Sequence, residues 1–247
     1  MADAQAPIES TDAAVLVPAA GEGHRLGGPR KQFRVLGNRP LLLQVLLVFE
    51  RHPAVQHLVV AAPDDHVQDV SDRLQAEGLS TVTVVVSGGA SRQASVRHAL
   101  RAVPSFVNVV LVHDAARPFL CPADVDAVLT AVRRHGAASL ALPVADTLRN
   151  ASGDVFGDTV PREGLYRVQT PQGFRRDWLE DAHRLAAEAD DASATDDAGL
   201  VQRAGRKVHL VRGDRRNFKI TDSGDWQMAQ QLWPSWRDDL ERSASSG

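Results

Sequence analysis

The feature that most constrains this chain is a repeated alternation of short valine, leucine and alanine runs with longer segments of helical periodicity. Such alternation predicts βαβ units, and therefore an α/β fold with a mainly parallel central sheet. The apolar runs are nearly continuous, as expected of strands in a sheet covered on both faces. The predicted strands are Ala13–Val17, Val55–Ala61, Thr81–Ser87, Val107–Val112, Ala137–Pro143 and Lys207–Val211.

Helices are predicted between and after these strands, and one stretch breaks the alternation. Residues 144–169 have turn signals at Asn150–Gly153 between short polar-apolar runs, which predicts a β-hairpin arm that projects from the core. We expect one domain over residues 12–240, with disordered tails at 1–11 and 241–247. The predicted helices are Pro40–Arg51, Asp64–Glu77, Ser91–Val103, Ala123–His135, Arg175–Glu188, Asp196–Ala204 and Ser223 to about Leu240.

Charge and cysteine content exclude several classes of protein. The chain has 28 basic and 31 acidic residues and a formal net charge of -3, so it has no global positive field to attract nucleic acid or an anionic membrane. Its single cysteine, Cys121, excludes an internal disulfide framework and a cysteine-rich zinc site. No apolar run approaches the length of a membrane span. We therefore expect a soluble cytoplasmic protein with no nucleic-acid or membrane partner.

The loop after the first strand, PAAGEGHRLGGPRKQ, suits an anion but has the spacing of neither common phosphate motif. Leu26 stands where a dinucleotide fingerprint beginning at Gly21 needs a small residue, and a P-loop would need its lysine two positions before Lys31. Gly21 and Gly23 nevertheless let backbone N–H groups approach a triphosphate, and Arg25 and Lys31 supply two cations. The alternative is a solvated surface loop without a specific ligand.

Two further loops follow predicted strands, and ligands of open α/β sheets bind at the carboxyl ends of strands. SGGASRQAS is a turn in which Ser95 and free backbone N–H groups suit a polar ligand, or an ordinary helix start capped by Ser91. HDAARP brings Asp114 and Arg117 after a strand. Either Asp114 supplies a carboxylate suited to Mg²⁺ with Arg117 as a neighbouring cation, or the two residues form a structural ion pair that closes the turn. Lys219, taken singly, is an ordinary surface lysine.

Together these segments resemble the methylerythritol phosphate cytidylyltransferases of the non-mevalonate isoprenoid pathway. The resemblance implies a Rossmann-like nucleotidyltransferase domain that transfers the cytidylyl group of CTP to 2-C-methyl-D-erythritol 4-phosphate, a polyol phosphate, with Mg²⁺ as cofactor and pyrophosphate as by-product. It also implies a homodimer with arm exchange, in which the β-arm reaches into the partner's site. The matching segments, from about Ala13 to Met228, are PAAGEGHRLGGPRKQF, GGASRQASV, VHDAARPF, PVADTL, VPREGLYRVQTPQGF, ATDDAG and NFKIT.

The resemblance also implies roles for individual positions. Arg25 and Lys31 match residues that stabilise the transition state at the α-phosphate, while Arg162 and Lys219 match residues that orient the incoming phosphate. Asp114 is in addition the candidate metal ligand. The positions that match nucleotide contacts are Ala19, Gly21, Gly89 and Ser95, to which the loop argument adds Gly23. The positions that match acceptor contacts are Asp114, Arg117, Thr147, Thr170 and Thr195.

Other functions share much of this pattern. A cytidylyltransferase for another polyol phosphate, such as ribitol 5-phosphate, would have the same fold and nucleotide loops, and a nucleotidyltransferase for a different base would share the fold. A catalytically silent nucleotide-binding protein is the alternative from another class. Retention of Arg25, Lys31 and Lys219 together argues against it. Attack of one phosphate on another is opposed by like charge, so the predicted chemistry needs cations more than a general base.

Overall fold

The computed structural model describes residues 12–21, 30–79 and 82–245, and each predicted strand and helix has a counterpart in it. The strands are β1 (Ala13–Pro18), β2 (Val35–Leu36), β3 (Arg39–Pro40), β4 (Val55–Ala62), β5 (Val82–Ser87), β6 (Val109–Val112), β7 (Ala137–Pro143), β8 (Leu148–Ser152), β9 (Val155–Val160), β10 (Tyr166–Arg175) and β11 (His209–Arg212). The α-helices are α1 (Leu41–Glu50), α2 (Val67–Ala76), α3 (Arg92–Arg101), α4 (Pro122–His135), α5 (Arg176–Glu188), α6 (Asp197–Arg203) and α7 (Ser223–Ser245).

Seven strands form the central sheet, in the order β11-β7-β10-β6-β1-β4-β5. Strand β1 pairs in parallel with β4 and β6, β4 with β5, and β7 with β11. Strand β10 runs antiparallel to both of its neighbours, β6 and β7. The predicted α/β fold with a mainly parallel sheet is therefore confirmed.

Helices cover both faces of this sheet, because successive residues of a strand point to opposite sides. In β1, Ala13, Val15 and Val17 pack with residues of α1, α2 and α4 in one apolar cluster. Ala14 and Leu16 pack with residues of α3, α5 and α6 in a second cluster. All five of these side chains are fully buried. Burial on both sides explains why the strands are continuous apolar runs rather than alternating ones.

The prediction missed β10, which lies between β6 and β7. Its sequence contains Pro171 and Gly173, residue types that argue against a strand inside a sheet. Packing explains Gly173: a Cβ atom there would lie 2.6 Å from Cγ2 of Val132 on α4 and 2.8 Å from Cδ2 of Leu111 on β6. The neighbouring elements thus approach the β10 backbone too closely for a side chain.

Strands β8 and β9 form the predicted hairpin, as a two-stranded sheet separate from the central one. Gly153 in its turn has a φ of +57°, a left-handed conformation that glycine adopts without strain. Val155 and Phe156 are 71% and 77% exposed. The predicted arm was too long at its carboxyl end, because residues 166–168 already pair with β7 in the central sheet.

Helix α7 packs on a third apolar cluster. Its Trp233 and Trp236 contact Phe119, and the cluster also contains Ile220. The helix continues to Ser245, so the expected disordered tail is wrong for residues 241–245, where the sequence offers no proline or glycine to end a helix. The tail expected at 1–11 lies outside the described residues. Of the helices described, none has both the length and the apolar character needed to cross a membrane.

Candidate active site

The carboxyl ends of β1, β5 and β6 border a cavity of about 500 Å³. Residues from the three loops predicted to bind ligand line it, together with the segment before α7. Two of the three lysines in the whole chain, Lys31 and Lys219, are among them. The predicted site residues that line the cavity are Ala19, Gly21, Lys31, Gly89, Ser95, Asp114 and Lys219.

Gln32 fixes the first loop against the end of β1. Its side chain is buried, and its Nε2 donates hydrogen bonds to the carbonyl oxygens of Ala19 at 2.6 Å and Gly21 at 3.1 Å. These bonds hold the backbone that was predicted to face the nucleotide. Gln32 was not among the predicted residues, because nothing in its local sequence distinguishes it from a solvated glutamine.

Lys31 enters the cavity beside Gln32. Its Nζ donates a hydrogen bond to the carbonyl oxygen of Ile220 at 3.3 Å, which connects the first loop to the segment that carries Lys219. Gly23 and Arg25, the other predicted members of this loop, lie outside the described residues.

Two serines shape the turn between β5 and α3. Ser91 is the N-cap of α3, as one reading predicted, and its Oγ accepts a hydrogen bond from a backbone N–H at 3.0 Å. The Oγ of Ser95 accepts from the backbone N–H of Gly89 at 3.0 Å and donates to the carbonyl oxygen of Ser91 at 2.9 Å. A Cβ atom on Gly88 would lie 2.3 Å from the Cβ of Ala20, so glycine allows this turn to approach the first loop.

Asp114 is the one acidic side chain among the described residues that line the cavity, and three cations contact it. The Nε of Arg92 lies 3.2 Å from its Oδ1. The Nε of Arg117 and the Nζ of Lys219 lie 3.3 Å and 3.0 Å from its Oδ2. The carboxylate is therefore a common anchor for one cation of its own turn, Arg117, and for two that come from distant parts of the chain, Arg92 and Lys219.

The pKa of Asp114 lies well below its ordinary value. Burial by itself raises the pKa of this carboxyl, but the charges of Lys219, Arg92 and Arg117 together outweigh burial. Asp114 is consequently ionised at neutral pH. Its charge is fully present to hold the surrounding cations or a metal ion.

His113 and Thr170 fix the backbone around Asp114 through buried hydrogen bonds. The Nε2 of His113 donates to the carbonyl oxygen of Arg117 at 3.0 Å, so its Nδ1 accepts from the Thr170 hydroxyl at 3.1 Å. The same hydroxyl accepts from the backbone N–H of Asp114 at 3.0 Å. Burial lowers the pKa of His113 to about 4, so the imidazole is neutral at pH 7. Thr170, predicted to contact the acceptor, is itself buried and does not line the cavity.

Asn217 holds the segment that carries Lys219. Its buried side chain donates from Nδ2 to the carbonyl oxygen of Thr170 at 2.8 Å. Its own carbonyl oxygen accepts from Nη1 of Arg117 at 2.9 Å and from Nε2 of Gln169 at 3.0 Å. These bonds fix Lys219 relative to Asp114. They also give Arg117 a structural partner besides the carboxylate.

Arg92, which was not among the predicted residues, lines the cavity as the first residue of α3. Its Nη1 lies 2.7 Å from Oδ2 of Asp197, a carboxylate with no exposed surface. A basic residue directly after a glycine turn at a helix start was a signal that could have found Arg92. Asp197 had no such signal, because 105 positions of sequence separate the two residues.

Besides Arg117 and Thr170, three further predicted residues lie outside the lining of this cavity. Thr147 and Arg162 flank the β8–β9 hairpin and are exposed, and Nη1 of Arg162 donates to the carbonyl oxygen of Ala145. Thr195 is exposed just before α6. Within one chain, the cavity thus combines the nucleotide loops with Asp114 and Lys219 but not with these acceptor positions.

Asp114 is suited to a metal ion that arrives with a substrate. Each carboxylate oxygen can accept two contacts, and Oδ1 has one, from Arg92. Across the described part of the chain, no group of three or more histidine, cysteine or acidic side chains could hold a metal. Mg²⁺ commonly binds through one or two carboxylates together with substrate phosphates and water. The residues therefore fit Mg²⁺ shared with a phosphate ligand, not a site made of protein groups alone.

Comparisons with known proteins identify the family of this chain. The IspD family model, described as 2-C-methyl-D-erythritol 4-phosphate cytidylyltransferase, matches residues 13–233. A protein of that name from Salinibacter ruber is 66% identical over 238 residues, which cover 94% of this chain and 100% of the relative. One from Deinococcus radiodurans is 47% identical over 219 residues, or 89% of this chain and 88% of the relative.

A solved structure with the same protein name as these sequence relatives also resembles this chain in fold. The crystal structure of 2-C-methyl-D-erythritol 4-phosphate cytidylyltransferase from Thermus thermophilus superimposes with a TM-score of 0.76 at 38% identity, covering 89% of this chain and 98% of that structure. The matches in sequence and in fold thus each extend over most of the chain. This chain belongs to the 2-C-methyl-D-erythritol 4-phosphate cytidylyltransferase family.

Proposed function

We propose that the cavity at the carboxyl ends of β1, β5 and β6 is where this chain transfers the cytidylyl group of CTP to 2-C-methyl-D-erythritol 4-phosphate. By family, the chain is a cytidylyltransferase of the isoprenoid pathway. One observation carries the assignment of the site: Lys31, Asp114 and Lys219 converge on one cavity from three separate parts of the sequence. A solvated loop would not need that convergence.

The main obstacle to the reaction is the repulsion between two anions. An oxygen of the acceptor phosphate attacks the α-phosphorus of CTP, and the bond from that phosphorus to the bridging β-phosphate oxygen breaks. Pyrophosphate leaves with the electron pair of the broken bond. The attacking oxygen is already ionised, so no base has to remove a proton. Cations arranged in advance around the phosphates lower the barrier by stabilising the charge in the transition state.

Each cation suits a part of this reaction. Lys31, which lines the same cavity as Gly21, suits the α-phosphate, and Arg25 joins it by the family resemblance. Lys219, anchored to Asp114 at 3.0 Å, suits the phosphate of the acceptor. Gly89 offers backbone to the nucleotide.

Mg²⁺ is the proposed cofactor. Asp114 would hold it together with triphosphate oxygens and water, and the ion would neutralise charge on the triphosphate when bound. The single free cysteine, Cys121, suits the cytoplasm, where we propose that the enzyme acts.

We further propose a homodimer with arm exchange. Thr147 and Arg162 match acceptor positions but lie outside the cavity of their own chain. The hairpin between them has two large apolar side chains, Val155 and Phe156, that are mostly exposed. Docking of the hairpin on a second copy would cover these side chains and bring Arg162 to the partner's cavity.

Pyrophosphate release tests the activity. With CTP, Mg²⁺ and 2-C-methyl-D-erythritol 4-phosphate, the purified protein should release pyrophosphate, and EDTA should stop the release until Mg²⁺ is restored. Release with ribitol 5-phosphate but not with methylerythritol phosphate would identify the other polyol phosphate as the acceptor. CTP binding without release with either acceptor would identify a catalytically silent protein.

A further inference from the structure

We propose that Arg92 binds the triphosphate of CTP as a further cation of the active site, and that the buried Asp197 is the residue that positions it. This inference rests on the function proposed above, because it assigns a role within that site. Neither residue was predicted from the sequence, and no position of the family resemblance assigned them a role.

The guanidinium of Arg92 is fixed at two of its three nitrogens. Its Nε lies 3.2 Å from Oδ1 of Asp114, and its Nη1 lies 2.7 Å from Oδ2 of Asp197. Its Nη2 makes no hydrogen bond to the described residues. The side chain is 25% exposed and lines the cavity. A planar, permanently charged group held in this way has little rotamer freedom to lose when an anion binds.

The position of Arg92 favours the triphosphate over the acceptor phosphate. It is the first residue of α3, so its charge adds to the free N–H groups at a helix N-terminus next to the Gly89 turn. Its contact with Asp114 brings the guanidinium beside the carboxylate proposed to share Mg²⁺ with the nucleotide. Lys219 contacts the other oxygen of that carboxylate.

Asp197 is held on three sides. Besides Arg92, Nε2 of His183 donates to its Oδ1 at 3.2 Å, and its backbone N–H donates to Oε1 of Gln172 at 3.1 Å. Burial raises the pKa of Asp197, but Arg92 and His183 outweigh burial and lower it. A buried ion pair usually stabilises a fold no more than apolar side chains of similar volume would, so stability alone does not explain a charge at this position. Holding the guanidinium of Arg92 at a fixed point of the cavity gives this buried charge a function.

A double-mutant cycle separates positioning from mere structural support. If Asp197 acts through Arg92, its substitution costs nothing further once Arg92 is gone, whereas independent roles multiply. The variants are Arg92→Ala, Asp197→Asn and the double variant. Asp197→Asn keeps the volume and an acceptor oxygen. Asp177→Asn is the control, because Asp177 also pairs with an arginine in the first turn of a helix, but on the surface.

The cycle is measured on the Kd of CTP with Mg²⁺ by calorimetry and on kcat/KM for pyrophosphate release. We expect Arg92→Ala to weaken CTP binding about tenfold or more and Asp197→Asn by a smaller factor, with the double variant no weaker than Arg92→Ala. Asp177→Asn should match the wild type. Unchanged CTP binding in Arg92→Ala, or losses that multiply in the double variant, would overturn the proposal.

Two outcomes need separate treatment: a wild-type protein that does not turn over, and an Asp197→Asn variant that does not fold. A wild-type protein that binds CTP but does not turn over would count against the proposed function, while the binding cycle would still test Arg92 and Asp197. If Asp197→Asn does not fold, guanidinium ion added to Arg92→Ala replaces the cycle. If guanidinium tightens CTP binding by Arg92→Ala but not by Lys31→Ala, the result would support a cation position held by Asp197. If guanidinium leaves CTP binding by Arg92→Ala unchanged, the result would contradict it.

Discussion

At the scale of single residues, Lys31 tests the candidate site most directly. We expect Lys31→Ala to lower kcat by about 10²-fold or more, because one charge that stabilises the transition state is lost. Its side chain is half-buried, and it belongs to none of the three apolar clusters, so the melting temperature should change little. The control is Lys207→Ala, which removes an exposed lysine outside the cavity. Near-normal turnover of Lys31→Ala would remove Lys31 from the mechanism.

His113 links folding stability to pH. Its pKa is about 4 when folded and 6.5 in its ordinary state, so the unfolded chain binds a proton that the folded protein excludes. The contribution of His113 is fully present above pH 6.5 and is lost as pH falls from about 6.5 to about 4, by roughly 3 kcal/mol. Other groups titrate in this range, so the comparison needs a variant.

We expect His113→Gln, which keeps one donor and one acceptor, to lose less stability than the wild type between pH 7 and pH 4.5. Urea unfolding at both pH values gives the free energies of unfolding. Parallel pH dependence in the two proteins would mean that His113 does not titrate as described.

At the scale of elements, β10 depends on a position without a side chain. Gly173→Ala should destabilise the protein by about 1–3 kcal/mol, since its Cβ would meet side chains of α4 and β6 at 2.6–2.8 Å. Gly157→Ala is the matched control, because a Cβ on that hairpin glycine would be 3.6 Å from the nearest atom. Denaturant unfolding measures both variants. Equal stability of the two would show that β10 and its neighbours can separate without cost.

The elements that the sequence predicted well are those with strong local patterns. The apolar runs of β1, β4 and β7 and the periodic helices needed no knowledge of their neighbours. Strand β10 could not be found in this way, because Pro171 and Gly173 argue against a strand inside a sheet, and Gly173 is explained only by packing against α4 and β6. The end of α7 was predicted too early for a different reason, since residues 241–245 are polar but contain no proline or glycine to end a helix.

At the scale of the whole molecule, subunit mixing tests arm exchange. Homodimers of Arg162→Ala and of Lys31→Ala should each be nearly inactive. Mixed dimers should regain up to about half of the activity of a wild-type dimer, because one of their two shared sites would then have both Lys31 and Arg162 intact. Activity is compared before and after the mixture is unfolded and refolded together. Inactive mixtures in which heterodimers are demonstrated would argue against shared sites.

The sequence by itself determined the α/β class, the three loops at the strand ends and the family, because these depend on local patterns and on motifs such as HDAARP. Lys31, Asp114 and Lys219 were likewise named from their motifs. The Asp114–Arg117 pair was one of the two readings of its turn, but only the tertiary structure decided that Arg92 and Lys219 share the same carboxylate and that Asp197 contacts Arg92. Such contacts join residues up to 105 positions apart, and local sequence carries no signal for a partner that only the packing of distant elements brings within hydrogen-bond distance.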